Sequence, residues 1–474
     1  MYPAIQFLID GTWRDGVGDA EPVLNPATGA SLGDCPMATA QVLDEALAAA
    51  EAAFKSWRKT AAIDRARIMG KASDLLRERA DRVAEVLTLE QGKPIGEART
   101  EVIYAADVIE WYAEECKRTY GRIVPGRVPG TRQLVMQEPV GVVAAFSPWN
   151  FPALTPIRKI AGAIAAGCSI IIKPSEETPG TCVEMARCFV EAGLPDGVLN
   201  VVFGQPAFVS EHLMKSDTVR KISFTGSVPV GKLLMRQAAD TLKRTTLELG
   251  GHAPVIVFDD VDVEKTVQSL VAGKFRNGGQ VCVSPTRFYI QQDIYEPFAA
   301  RFAELASAWK VGPGIDPESQ MGPLANPRRV DAMEDFVRDA REAGGKLLTG
   351  GSKLGNQGFF FQPTVIKDLP DTCKLMTDEP FGPIAPIVPF RTFDEVIERA
   401  NALPFGLASY AFTRSLQTSQ AVSDAIEAGM MGINTLAIST PETPFGGVKY
   451  SGHGREGGIE GLEAYMNLKF VASA

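Results

Sequence analysis

The sequence predicts an α/β protein with two doubly wound, parallel-sheet domains and a small additional β domain. Short apolar strand segments alternate with helical segments over residues 140–249, and a second series of the same kind runs over residues 254–435. Such alternation is typical of parallel sheets that are covered by helices on both faces. The length of 474 residues supports more than one domain, because a single hydrophobic core seldom organises so long a chain.

The remaining segments follow other patterns. Residues 39–120 are helical in pattern, since apolar residues recur three and four positions apart with charges between them. Residues 121–138 carry Pro and Gly at turn spacing before an alternating run, which is typical of a β-hairpin, and the C-terminal segment YMNLKFVA is strand-like. Together they predict a projecting sheet for self-association, although an edge strand of either domain is an alternative. We expect three domains: residues 1–120 with 140–248, residues 249–440, and residues 121–139 with 455–474.

Charge and hydropathy exclude two classes of partner. The net charge of −9 repels phosphate backbones and anionic lipids, so we expect neither nucleic acid nor membrane as a partner. The longest apolar stretch, residues 160–172, is shorter than the roughly 20 residues of a spanning helix. It predicts a buried helix, a turn and a strand. The first residues show no basic leader followed by a long apolar run, so we expect a cytoplasmic protein without a signal peptide.

The cysteines and histidines predict no metal site. The chain has seven cysteines and three histidines, with no CxxC pair and no zinc-like spacing. Reduced thiols in a reducing compartment fit this pattern best.

Cys282 is the candidate nucleophile. It lies in KFRNGGQVCVSPTR, where two glycines and a glutamine precede the sulfur on a predicted loop between a helix and a strand. Backbone amides can face a thiolate in such a loop, and the thiolate is the form that attacks. Because most free cysteines are buried and inert, this segment alone does not establish a nucleophile.

Three further segments supply groups that a cysteine enzyme needs. Glu248 ends a predicted strand before two glycines, a suitable place for a general base, although a solvated turn residue is the alternative. Asn150, in PWNFP, follows a strand, and its amide could donate to an oxyanion. Gly226 and Ser227 precede a helix that has Pro229 in its first turn, and a free helix N-terminus favours a phosphate.

Seven motifs in order resemble the aldehyde dehydrogenase superfamily over essentially the whole chain. They are PWNFP, IIKPSEETP, FTGS, LELGG, GGQVC, DEPFGPI and PFGGVKYSG, and the spacing from Glu248 to Cys282 also agrees. The resemblance implies NAD(P)-dependent oxidation of an aldehyde to a carboxylate. Cys282 would attack the aldehyde and form a thioester after hydride transfer, Asn150 and the Cys282 backbone N–H would hold the oxyanion, and Glu248 would activate water.

The resemblance also implies the cofactor-binding residues. They would be Trp149, Lys173, Ser175, Glu176, Gly226, Ser227, Gly231, Leu249 and Glu379. We expect NAD to be preferred over NADP, because the charge of Glu176 would repel a 2′-phosphate. The alternative is that Glu176 only begins the helix that follows Thr178, where acids are favoured anyway. Self-association as a homodimer or homotetramer is implied as well.

Within the superfamily the chain is most similar to succinate-semialdehyde dehydrogenases. Residues 109–125 are typical of that branch, and so are Arg158, Arg276 and Ser439, which would bind the substrate carboxylate. Phe151 and Phe445 would also contact the substrate. We expect both arginines near the core, where they pair with the substrate carboxylate or, alternatively, with an internal Asp or Glu. Succinate semialdehyde is the first expected substrate, then glutarate or 2-oxoglutarate semialdehyde; uncharged aliphatic or aromatic aldehydes are the alternative.

The sequence departs from the family pattern at two positions, and two other functions are alternatives to aldehyde oxidation. Ser284 stands where some relatives carry a second cysteine, so we expect no redox disulfide there. Pro441 is a second departure, and we expect it to change the shape of its loop and with it the length of substrate that fits. A thiol hydrolase or acyltransferase would share the cysteine and the carboxylate, but KPSE and FTGS argue against it. A non-catalytic structural protein on the same fold is the remote alternative.

Overall fold

A computed structural model describes residues 2–473. The α-helices are α1 (Ala40–Trp57), α2 (Ala62–Glu78), α3 (Ala80–Gln91), α4 (Ile95–Glu115), α5 (Leu154–Ala166), α6 (Pro179–Ala192), α7 (Pro206–Lys215), α8 (Val228–Ala239), α9 (Val263–Phe275), α10 (Tyr295–Ser307), α11 (Pro327–Glu342), α12 (Lys374–Thr377), α13 (Phe393–Asn401), α14 (Leu416–Ala425) and α15 (Gly458–Glu463).

The strands are β1 (Phe7–Ile9), β2 (Thr12–Arg14), β3 (Ala20–Leu24), β4 (Ser31–Pro36), β5 (Arg122–Pro125), β6 (Arg132–Pro139), β7 (Val142–Phe146), β8 (Ile170–Lys173), β9 (Leu199–Val201), β10 (Val219–Gly226), β11 (Arg244–Leu249), β12 (Ala253–Val257), β13 (Pro285–Gln291), β14 (Lys346–Thr349), β15 (Thr364–Lys367), β16 (Ile384–Phe390), β17 (Phe405–Gly406), β18 (Ala408–Phe412), β19 (Met430–Ile433), β20 (Val448–Lys449), β21 (Gly452–His453) and β22 (Met466–Ser473).

The first sheet has the order β2-β1-β9-β8-β7-β10-β11-β21. Its five central strands are parallel, and their neighbours β1 and β21 pair antiparallel. The chain runs outward from β7 through β8 to β9, then returns to β10 and β11 on the other side of β7. Ligands of such sheets bind beyond the carboxyl ends of the strands at this reversal, which here lies between β7 and β10.

The second sheet has the order β14-β15-β16-β13-β12-β18-β19 and is parallel except for the edge strand β14. The chain leaves the first sheet at the end of β11 and enters the second at the start of β12, so only residues 250–252 separate the two sheets. The carboxyl end of β11 therefore lies close to the amino ends of β12 and β13.

A third, antiparallel sheet has the order β22-β6-β5, with β6 and β22 paired along their full lengths. This architecture confirms the predicted α/β class with two parallel-sheet domains and a small β domain. The N-terminal strands were not predicted: β1 and β2 extend the first sheet, whereas β3 and β4 form a separate hairpin.

The apolar stretch at residues 160–172 folds as predicted, as a helix, a turn and a strand. Helix α5 is buried along most of its length, and Gly167 ends it with a φ of 91°, a conformation that glycine adopts at little cost. The chain then enters β8, whose four residues are all buried. Within residues 2–473, no helix is long and apolar enough to cross a membrane.

Candidate active site

A cavity of about 780 Å³ lies where the ends of β10 and β11 approach the loop before β13. It brings together the three predicted catalytic residues, Cys282, Glu248 and Asn150. Ten predicted binding residues also line it: Trp149, Phe151, Arg158, Gly226, Ser227, Leu249, Arg276, Glu379, Ser439 and Phe445. Lys173, Ser175, Glu176 and Gly231 do not.

The backbone fixes the loop that carries Cys282. Gly279 has a φ of 71°, and a Cβ there would lie 2.2 Å from the Gly382 carbonyl oxygen, so only glycine fits this position. On the other side of the sulfur, the buried Tyr410 hydroxyl donates to the Val283 carbonyl at 2.6 Å. The half-buried Cys282 is thus presented to the cavity from a constrained turn.

Burial, with smaller contributions from the Glu379 and Glu248 carboxylates, raises the pKa of the Cys282 thiol to about 12, and Arg158 opposes this shift. The thiol is therefore protonated near neutral pH in this arrangement. A nucleophilic role requires a group that takes its proton as the sulfur attacks.

Glu248 is buried, with 3% of its surface exposed, so the solvated-turn interpretation is wrong. Neither of its carboxylate oxygens has a hydrogen-bond partner among the described residues. Burial raises its pKa well above the usual range, the Glu456 carboxylate raises it further, and Lys159 and Arg158 oppose the shift. The oxygens are unpaired but tightly packed: a Cβ on Gly446 would lie 2.7 Å from Oε1.

Asn150 is anchored to the loop of Cys282. Its Nδ2 donates to the Gln280 carbonyl at 3.0 Å, two residues before the sulfur. Its own carbonyl accepts from Asn277 Nδ2 and from Lys93 Nζ, each at 2.9 Å. Because an amide nitrogen carries two hydrogens, one remains for a ligand in the cavity.

Arg158, with Ser439 and Tyr104, forms a polar part of the cavity wall. Its Nη2 donates to Ser439 Oγ at 2.8 Å, and the Tyr104 hydroxyl lies 3.3 Å from the same oxygen. The guanidinium is 4.2 Å from the centre of the Phe445 ring. Arg158 is 5% exposed and makes no ion pair with any acid in the described chain, so its charge faces the cavity without a carboxylate partner.

Arg276 does not match the expectation of a position near the core. It directly follows α9 and is exposed, with its guanidinium 5.7 Å from the centre of the Phe151 ring. Within residues 2–473 it also lacks an ion pair. The helix ends before Arg276, which leaves the side chain at the water-exposed part of the cavity.

The carboxyl ends of β7, β8 and β10 offer a place that fits a dinucleotide. Helix α8 begins after the exposed Ser227, whose side chain does not cap the helix, so amides of its first turn are open to a phosphate. At the end of β8, Lys173 Nζ lies 2.6 Å from Glu176 Oε2. Gly231 allows α8 to pack closely, because a Cβ there would lie 2.5 Å from Leu249 Cδ2.

Glu379 lies on the other side of the crevice that would hold the dinucleotide. Its Oε1 accepts the Gly251 amide at 3.3 Å, and a Cβ on Gly250 would lie 2.3 Å from Oε2. Burial raises the pKa of Glu379 to about 8. Trp149 packs edge-on against Phe381 with ring centres 5.5 Å apart, which gives the crevice an apolar wall.

Sequence analysis missed several residues of the cavity wall. Lys93, Glu97, Glu101 and Tyr104 come from the start of α4 and the residues before it. Glu97, Glu101 and Tyr104 recur at steps of four and three, so they share one helix face. This polar stripe on one face of a helix that also carries many apolar residues was a signal in the sequence. Glu456, near the C-terminal end, also lines the cavity.

Comparisons with known proteins agree with this geometry. Residues 13–471 match the aldehyde dehydrogenase family. The 4-(hydroxymethyl)benzenesulfonate dehydrogenase TsaD1 of Comamonas testosteroni is 47% identical over 472 residues, 99% of this chain and 98% of the relative. The succinate-semialdehyde dehydrogenase GabD of Escherichia coli, whose name specifies NADP(+), is 44% identical over 467 residues, 98% of this chain and 97% of the relative.

A solved structure gives the same result. The succinate-semialdehyde dehydrogenase of Burkholderia pseudomallei aligns with a TM-score of 0.98 and 43% identity, over 99% of this chain and 98% of that one. The chain therefore belongs to the aldehyde dehydrogenase family and is an NAD(P)-dependent oxidoreductase that converts an aldehyde to a carboxylate.

Proposed function

We propose that this enzyme oxidises short aldehydes that carry an anionic group at the far end, with succinate semialdehyde first and glutarate or 2-oxoglutarate semialdehyde next. One observation carries the proposal: the buried, carboxylate-free Arg158 lines the same cavity as Cys282 and Glu248. A guanidinium offers two parallel donors to a carboxylate, and the cavity leaves this one unpaired.

Cys282 is the proposed nucleophile. Its sulfur forms a bond to the aldehyde carbon while its proton goes to a nearby base, and the carbonyl oxygen becomes an oxyanion. The free hydrogen of the Asn150 amide and the Cys282 backbone N–H stabilise that oxyanion. When bound, the dinucleotide supplies the hydride acceptor, and loss of hydride from the carbon leaves a thioester on Cys282.

Glu248 is the proposed base of the second step. Its carboxylate takes a proton from water as the water oxygen attacks the thioester, and the acid product and the Cys282 thiol are released. The unpaired oxygens of Glu248 are free to accept that proton. Its raised pKa makes it a stronger base than an ordinary carboxylate.

A sulfonated aldehyde is the second candidate substrate. The 47% identical relative is named for a benzenesulfonate. Arg158, Ser439 and Tyr104 also offer donors to more than two oxygens, which suits a sulfonate as well as a carboxylate. Both candidates share an anion at the far end and an aldehyde at Cys282.

A panel of aldehydes tests the proposed function. We expect kcat/KM to be highest for succinate semialdehyde or its longer carboxylated analogues, measured as reduced cofactor formed with NAD and with NADP. The 4-formylbenzenesulfonate anion tests the second candidate, and butanal and benzaldehyde are the uncharged controls. A preference for butanal or benzaldehyde would contradict an anion-binding role of this cavity.

We also expect a preference for NAD over NADP, and Glu176→Gln should weaken it. Lys173 already pairs with Glu176, so the repulsion of a 2′-phosphate is reduced and the preference is incomplete. Loss of the negative charge should raise kcat/KM for NADP relative to NAD about tenfold. Steady-state kinetics with both cofactors measures the ratio. A wild-type preference for NADP, or an unchanged ratio in the variant, would contradict this role of Glu176, which lies before α6 and outside its first turn.

The small β domain is the proposed site of self-association. Strands β5 and β22 of this sheet expose Ile123, Leu468 and Phe470, which are 70%, 69% and 61% accessible in the single chain. Exposed apolar side chains on one sheet indicate a protein interface. A homodimer or homotetramer would cover them, and light scattering would give its mass.

A further inference from the structure

A buried ion pair lies beside Asn150. Lys93 Nζ is 2.6 Å from Glu101 Oε2, and the side chains are only 1% and 3% exposed. Lys93 precedes α4, and Glu101 lies in its second turn. Burying two charges costs free energy of desolvation, so such a pair stabilises a protein most where the remaining hydrogen-bonding atoms of both side chains also have partners.

Those further contacts all go to the segment that carries Asn150. Lys93 Nζ donates to the Asn150 carbonyl at 2.9 Å and lies 4.0 Å from the centre of the Phe151 ring. The second carboxylate oxygen of Glu101 accepts the amides of Ala153 at 2.8 Å and Leu154 at 3.1 Å. The pair therefore holds the backbone of this segment at both ends.

The segment is also tied to the nucleophile loop. The Asn150 side chain donates to the carbonyl of Gln280, and the Asn150 carbonyl accepts from Asn277. Gln91, two residues before Lys93, donates to Asn277 Oδ1 at 2.9 Å. A shift of the Asn150 backbone would therefore move its amide relative to Cys282.

We propose that Lys93, held by Glu101, is a positioning residue that fixes the Asn150 amide at the place where the oxyanion forms. Lys93 acts through Asn150 and touches none of the reacting atoms. The inference rests on the proposed role of Asn150 as an oxyanion donor.

Lys93→Met tests the inference, because methionine keeps an unbranched side chain that is one atom shorter and removes the donor. Misplacement of a catalytic group by about 1 Å costs about 100-fold in rate, so we expect kcat to fall about 100-fold. The KM values for succinate semialdehyde and NAD should stay within about threefold of the wild type. Alkylation of Cys282 by iodoacetamide, followed by mass spectrometry, should keep its rate, because the sulfur displaces iodide without forming an oxyanion.

The double variant Lys93→Met/Glu101→Gln separates positioning from charge balance. It removes both charges and keeps the Glu101 position able to accept the Ala153 and Leu154 amides. We expect its melting temperature to recover relative to Lys93→Met, whereas kcat stays low because the Asn150 carbonyl still lacks the hydrogen bond from Lys93. Recovery of kcat together with stability would overturn the inference. If Lys93→Met does not fold, the kcat of the double variant is compared directly with that of the wild type.

Two controls complete the experiment. Lys243→Met removes another buried lysine, which among residues 2–473 donates to the backbone carbonyls of Ser216 and Val219, and should leave kcat unchanged. Equal loss in Lys243→Met would show a general effect of lysine removal and overturn the inference. Asn150→Ala tests the proposed role of Asn150 itself, and full activity of this variant would overturn its assignment as an oxyanion donor. If Asn150→Ala has low activity but Lys93→Met keeps the wild-type kcat, only the role of Lys93 is overturned.

Discussion

Glu248→Gln should transfer one hydride per active site and then stop as a covalent acyl-enzyme. Cys282 and Asn150 remain, so the first step proceeds, but a glutamine amide cannot take a proton from water. The Glu456 carboxylate also lines the cavity, but it is engaged by Lys159. We expect steady-state turnover to fall about 10²–10⁴-fold, the usual contribution of a general base. Stopped-flow absorbance should show the burst, and mass spectrometry should show the acyl adduct on Cys282.

Cys282→Ala is the matched control for this result. It should lose both the burst and the adduct, because no nucleophile remains. Full steady-state turnover by Glu248→Gln would mean that another group activates the water. A variant with neither burst nor turnover would place Glu248 in the first step, as the base for the Cys282 proton.

The pH dependence of the wild type follows from the same carboxylate. Burial raises the pKa of Glu248, and the Glu456 carboxylate adds to the shift. A base with a raised pKa becomes ionised only as the pH passes above its ordinary range, so hydrolysis of the thioester should speed up with rising pH and be lost on acidification. In Glu248→Gln the residual turnover should lack this dependence.

The fold could be predicted from the sequence because its signals are local, and the three predicted catalytic residues meet in one cavity. Strands such as β8 are continuous apolar runs, and Gly167 ends α5 where the helical pattern stops. The glycines before Cys282 are required by the backbone itself, as the contact of Gly279 with Gly382 illustrates. Patterns of this kind reflect the backbone geometry of neighbouring residues, so they can be recognised in the sequence without knowing the fold.

The missed parts depend on contacts between distant residues. Strand β1 joins the first sheet by pairing Leu8 with Val201, and nothing within its three residues specifies that neighbour. Lys93 reaches Asn150 and Tyr104 reaches Ser439 only after the helices have packed. Periodicity can mark a polar helix face, but it does not say which cavity that face will line.

Arg158→Leu should change which aldehyde the enzyme prefers. Loss of the guanidinium would leave the substrate carboxylate unpaired in a largely buried site, at a cost of roughly 3–5 kcal/mol, or about two to four orders of magnitude in kcat/KM for succinate semialdehyde. Butanal carries no charge and should be little affected. Arg158 also opposes the rise in the pKa of Cys282, so some loss common to both substrates is expected. The ratio of the two kcat/KM values removes that common loss and isolates binding of the carboxylate.

Two variants decide what the change in ratio means. Arg158→Lys keeps the charge but not the planar pair of donors, so it should retain part of the preference for succinate semialdehyde. Arg276→Leu should lower the ratio less than tenfold, since this arginine is exposed and water screens it, with at most about 1 kcal/mol at stake. Equal losses on both aldehydes in Arg158→Leu would show that Arg158 supports only the cavity wall through Ser439 and Phe445. The anion would then have to bind elsewhere.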